Sequence, residues 1–198
     1  VQQHQQQQTA QRSPVPPPLT GGAVKSGSGA AGEWGGHWGP LSCLLLLVLL
    51  DQGSKWWIKA NFALYESREI IPGLFSLVHY TNTGAAFGLL AGESTMVRRL
   101  FFIGVALAAL VLLGLLYRQV RDFTPFYLYA LALIAAGAIG NLIDRVRFGQ
   151  VTDFLDFYWR GYHWPAFNIA DSAITVGVAL FLLASWRQRP ASKSDLKS

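Results

Sequence analysis

Cysteine is almost missing from this sequence. Cys43 stands alone among 198 residues, so no disulfide forms within the chain and its cysteine usage does not reveal a redox compartment. Histidine is nearly as scarce: His4, His37, His79 and His163 are far apart and no H-E-x-x-H occurs, which argues against a metal site. Charge is in short supply too, at 14% of residues against roughly 25% in a typical soluble domain. No Gly-rich loop follows a strand to cradle phosphate, and Ser54 beside Lys55 does not share a helix face with it, which weighs against a Ser/Lys nucleophile pair. The net charge of +5 is spread over sixteen scattered Lys and Arg residues with no basic stripe, so nucleic acid is not expected as a partner. What abounds is apolar: 52% of the chain, with a mean hydropathy of +0.29 even though the first forty residues are polar. A body this apolar cannot cover itself with a water-facing surface. A soluble globular enzyme, a collagen-like chain and a wholly disordered chain are therefore excluded, and a membrane protein remains.

Residues 1–40 combine a Gln/His run, the Pro14–Pro18 segment and a Gly/Ser/Ala-rich stretch. Such a composition buries too little apolar area to repay its ordering entropy, and the expectation is a disordered tail. Four apolar segments follow, at about 41–62, 100–117, 125–143 and 167–186, each near the roughly 20 residues that cross about 30 Å of hydrocarbon. The first is not a cleaved signal peptide, because it leads into Asp51 and Lys55 rather than a small-residue cleavage site. Residues 41–187 thus read as one four-span domain, with 188–198 as a polar tail. Four spans place both termini on one side. The cluster Arg187, Arg189, Lys193 and Lys197 after the last span favours that side as cytoplasmic. Between spans one and two, the turn Pro72-Gly73 and the β-branched and aromatic run Leu74–Tyr80 predict a strand, and a small sheet over about 63–96 resting on the opposite membrane face.

The polar residues inside this apolar frame are the candidates for chemistry. Asp51 and Lys55 lie four apart and share a helix face, as a structural ion pair or as part of a site. Asn82-Thr83-Gly84-Ala85-Ala86-Phe87-Gly88 is a small, polar loop in which glycine admits close backbone approach and Asn82 offers donor and acceptor. Gly140-Asn141-Leu142-Ile143-Asp144-Arg145 ends the third span, with Asn141 and Asp144 on one face. It serves either as an interfacial helix end or as part of a site. Asp153 follows in Val151-Thr152-Asp153-Phe154, with Asp156 as a rival that spacing alone does not exclude. Asp171, in Phe167-Asn168-Ile169-Ala170-Asp171, falls in the first turn of the fourth span behind Asn168 as N-cap, so it also reads as a cap of its own helix. Both carboxylates reach one membrane face at similar depth. Two neighbouring carboxylates do not ionise together easily, so one holds a proton while the other acts as base toward water.

Taken as an ordered set, Asp51–Lys55, Asn82–Gly88, Gly140–Arg145, Val151–Phe154 and Phe167–Asp171 closely resemble the blocks of the lipoprotein signal peptidases, the bacterial prolipoprotein-processing aspartyl peptidases (signal peptidase II). Each block alone is weak and the ordered set is specific. The resemblance implies an all-α inner-membrane enzyme of four spans with a small extracytoplasmic β-cradle, both termini cytoplasmic and the active site toward the periplasmic face. It implies cleavage of prolipoproteins before a diacylglyceryl-modified cysteine, with Asp153 and Asp171 as the catalytic pair. Asp51, Lys55, Asn82, Gly84, Asn141, Asp144, Arg145 and Asn168 would position substrate or brace the site. It implies no cofactor and no metal, membrane lipids as surroundings, and a monomer. Thr152 departs from a more usual valine, and the long N-terminal tail is also unusual.

Two other classes fit less well. A proton-coupled carrier needs acids near the midplane of several spans and an internal repeat, and neither is evident. Presenilin-like proteases use Asp within Gly-x-Gly-Asp, where this chain has Gly140-Asn141.

Overall fold

A computed structural model describes residues 30–84, 95–121 and 124–187. The expectations for residues 1–29, for Ala85–Gly88 and for the tail at 188–198 lie outside the described residues.

Four helices carry the fold: α1 (Ala30–Asn61), α2 (Thr95–Val120), α3 (Pro125–Phe148) and α4 (Ile169–Arg187). Each contains a stretch long and apolar enough to span a bilayer, Trp38–Asn61 in α1 and the full length of the other three. Several run past the apolar windows. α1 begins at Ala30 rather than near Leu41, and α3 continues through Arg145 and Arg147 to Phe148. Hydropathy marks where side chains prefer lipid, whereas the backbone stays helical until a residue breaks it, and long basic side chains reach the interface from inside a span.

Helix α3 is the central helix, contacting α1, α2 and α4. Small residues let it approach α4 closely, with Gly137 and Gly140 against Ala170 and Ala130 against Gly177. A Cβ on Gly177 would meet the Ala130 carbonyl oxygen at 2.8 Å, so the two backbones touch. In lipid no hydrophobic force drives helices together, and close backbone approach supplies the packing instead.

A four-stranded antiparallel sheet caps one end, in the order β1 (Ser67–Ile71), β2 (Phe75–Asn82), β3 (Val151–Trp159), β4 (Tyr162–His163). The expected strand at Leu74–Tyr80 is β2. The sheet does not lie wholly between the first two spans, however, because β3 and β4 come from the α3–α4 connection. Residues 151–154 and 156 of β3 are all buried, so the strand has no polar alternation to betray it. Ile58 and Phe62 of α1 pack against Phe154 of β3, with Leu77, Leu155 and Ile169 around them, and this cluster fastens the sheet to the helices. Each such buried side chain contributes about 1.5–3 kcal/mol.

Candidate active site

Phe167 decides how the site assembles. Its backbone pairs with β3, donating to the Leu155 carbonyl at 3.1 Å and accepting from the Phe154 and Leu155 amides at 3.0 and 2.9 Å. The start of α4 is thereby stitched beside Asp153. The next residue, Asn168, is fully buried and sits between the two acids. Its Nδ2 donates to Asp153 Oδ1 at 2.7 Å, and its Oδ1 accepts from the Asp171 amide at 3.0 Å. Asp171 Oδ2 in turn accepts from the Asn168 amide at 3.3 Å, which completes a reciprocal cap of α4. Asp171 therefore does cap its helix, and it does so with one oxygen only. Its Oδ1 accepts from Asn141 Nδ2 at 2.8 Å.

Asp153 is 3% exposed. Its carboxyl is pushed up from 3.8 to about 6, first by burial and then by the charge of Asp171, against the lowering effect of hydrogen bonds from Asn82 and Asn168. The Asn82 side chain is oriented for this, since its Oδ1 accepts from the Gly84 amide at 2.8 Å. Phe102 of α2 packs so closely on Gly84 that a Cβ there would overlap its ring. Arg145 donates to the Asn141 carbonyl oxygen at 3.3 Å and lies 5.2 Å from the Phe102 ring centre. It makes no ion pair within 4 Å among the described residues, yet its charge acts on Asp171, Asp153 and Asp144.

Beneath the two acids lies a buried ionic layer. Lys55 Nζ contacts Asp51 at 2.8 Å, Asp144 at 3.1 Å and the Asn141 side-chain oxygen at 3.1 Å, with Asp51, Lys55 and Asp144 each 1% exposed. Asp51 Oδ1 accepts from the Ala170 amide in the first turn of α4 at 2.9 Å. Asp144 Oδ2 accepts from the Thr152 amide at 3.3 Å. Lys55 thus ties α1 to α3 directly, and through Asp51 and Asp144 it reaches α4 and β3. The i,i+4 pair expected from sequence is present, and Asp144 makes it a triad.

All ten residues singled out from the sequence are thus brought to one end of the bundle. Asp156 is not among them: an odd spacing from Asp153 turns it to the other face of β3, where it is buried against His163 Nδ1 at 2.9 Å. Gln52 escaped the sequence reading. Its Nε2 donates to Asp51 and to the Gly140 carbonyl oxygen, both at 3.1 Å, and the available signal was an amide beside an acid within an apolar span. Among the described residues no three His, Cys, Asp or Glu side chains form a group that would hold a metal.

The model of the family described as Signal peptidase (SPase) II matches residues 43–187. The lipoprotein signal peptidase of Syntrophus aciditrophicus (strain SB) is 49% identical over 151 residues, covering 75% of this chain and 92% of that protein. That of Syntrophotalea carbinolica is 51% identical over 142 residues, covering 72% and 87%. A solved structure described as a bacterial membrane enzyme, determined by the in meso method at 1.9 Å, superposes with a TM-score of 0.69 at 34% identity, over 77% of this chain and 95% of that one. The chain belongs to the signal peptidase II family of membrane peptidases.

Proposed function

We propose that this enzyme removes signal peptides from prolipoproteins by cutting immediately before the diacylglyceryl-modified cysteine, with Asp153 and Asp171 as a dyad sharing one proton. The observation that carries this reading is Asn168, which holds both carboxyls at the end of the bundle. Asp153, with its raised pKa, carries the proton, and Asp171 is the base. Asp171 takes a proton from water as the water oxygen bonds to the scissile carbonyl carbon, and Asp153 protonates the carbonyl oxygen. Collapse of the tetrahedral diol breaks the C–N bond as Asp171 gives its proton to the nitrogen and Asp153 recovers one from a diol hydroxyl. One product ends in a carboxyl group, and the other begins with the lipidated cysteine. The positive field of Arg145 offsets the negative charge of the occupied site.

The setting follows from the same reading. The protein lies in the bacterial inner membrane as a monomer, with its termini in the cytoplasm and the dyad at the periplasmic face. The acyl chains of the substrate lie along the spans, and that is why peptide chemistry is placed at the interface. Asp153→Asn or Asp171→Asn is expected to lower turnover of a purified diacylglyceryl-modified precursor by roughly 10²–10⁴-fold while the protein still folds. Wild-type turnover in either variant would refute the dyad.

A further inference from the structure

Side chains alternate across β2 and β3, so the ladder that presents Asp153 has a second face. The register pairs Tyr80 with Asp153, Thr81 with Thr152 and Asn82 with Val151. Tyr80, Asn82 and Asp153 therefore share the dyad face, while Thr81 and Thr152 share the other, with His79 and Gln150 beside them. On that face the structure forms a cavity of about 250 Å³, lined by these four residues together with Lys59 of α1 and Phe148 of α3. His79 and Thr152 are buried, at 9% and 1% exposure. The ammonium of Lys59, which lines the cavity, sits 3.6 Å from the centre of the Phe148 ring, and Arg147 lies 5.0 Å from the same ring, so a second cation adjoins the lining. No acid lines the cavity among the described residues. Asp144, the carboxylate whose charge acts on Lys59, is already held by Lys55 at 3.1 Å.

Cationic, hydroxylic and amide groups around a small cavity without acids match a phosphodiester. Position identifies its source. Lys59 lies in the last turn of α1 and Phe148 is the last residue of α3, so the cavity opens where both helices leave the hydrocarbon. Exposed Leu64 and half-exposed Phe148 border it with apolar surface. A cavity of about 250 Å³ has room for a small polar headgroup. We propose that this cavity binds the phosphodiester headgroup of a membrane phospholipid behind the catalytic strand, at a site separate from the dyad. Thr152 supplies a hydroxyl there.

The test is thermal unfolding of the full-length protein in detergent with added phosphatidylglycerol, with diacylglycerol of the same chains, or with glycerol 3-phosphate. Phosphatidylglycerol is expected to raise Tm by roughly 5 °C and diacylglycerol to leave it unchanged. Lys59→Gln and Thr152→Val should each remove at least half of that rise, and native mass spectrometry of Thr152→Val should show less retained lipid. Equal shifts from phosphatidylglycerol and diacylglycerol, or a full shift in both variants, would overturn the site. A full shift from glycerol 3-phosphate alone would overturn the lipid as ligand. These readouts do not involve cleavage, so they stand or fall apart from the dyad.

Discussion

Asp153 experiences two opposing demands, and its environment shows which dominates. Burial and the neighbouring Asp171 disfavour its charge, and hydrogen bonds from Asn82 and Asn168 only partly offset them, leaving the carboxyl at about 6 against an ordinary 3.8. The native protein therefore binds a proton there that the unfolded chain has lost between those values. Stability from this residue is fully present below pH 3.8 and is lost as pH rises through about 6. Asparagine does not titrate and can still accept from Asn168. Asp153→Asn is thus expected to be more stable than wild type by about 3 kcal/mol above pH 7, with the gap closing toward pH 4. Thermal unfolding across that range checks this, and a gap that widens toward low pH would contradict it. Stability gained together with activity lost is the signature of a residue strained for function.

At the scale of elements, the buried triad sets the level at which α1, α3 and α4 meet. Gly140 permits the contact: a Cβ there would meet Asp51 Oδ2 at 2.5 Å and the Ala170 side chain at 3.3 Å. Among the described residues Lys55 is the one cation paired with Asp51 and Asp144, so Lys55→Met leaves two carboxylates buried together. A loss of about 3–5 kcal/mol is expected, and adding Asp144→Asn should restore part of it. If both variants unfold like wild type, the triad is not what registers the helices. Here the sequence was only partly readable. The i,i+4 spacing of Asp51 and Lys55 placed them on one face, but no local pattern linked them to a residue almost ninety positions later. β3 was missed for a related reason, since burial on both faces erases the alternation by which strands are recognised.

For the whole molecule, the surface is as informative as the core. Leu46, Leu49, Val111, Leu115 and Leu182 are all more than half exposed, an apolar girdle that only lipid would cover. Exposed Trp38 and Trp186 lie toward one end, and Trp56, Trp159, Tyr162 and Trp164 toward the other, as aromatic rings do at the two interfaces of a bilayer. In a Cys43→Ser background, Tyr162→Cys in the β3–β4 hairpin is expected to react with an impermeant maleimide on intact spheroplasts. Thr124→Cys, between α2 and α3, should react only after lysis. The reverse pattern would invert the proposed orientation.

Sequence alone determined the membrane class, the four spans, one strand of the sheet and the short polar blocks, because hydropathy and residue spacing are local properties that a linear reading captures. It also showed where the scarce acids went: seven of eleven, Glu66, Glu69, Glu93, Asp144, Asp153, Asp156 and Asp171, fall in or beside the two connections on one side of the spans. Tertiary structure alone decided which of them meet. The pairing of Phe167 with β3 brings Asn168 to Asp153, the parity of the strand turns Asp156 away, and Lys55 joins the acid of its own helix to Asp144 of α3. Those contacts depend on long-range backbone pairing and on helix–helix packing within a bilayer, and neither leaves a periodic trace along the chain.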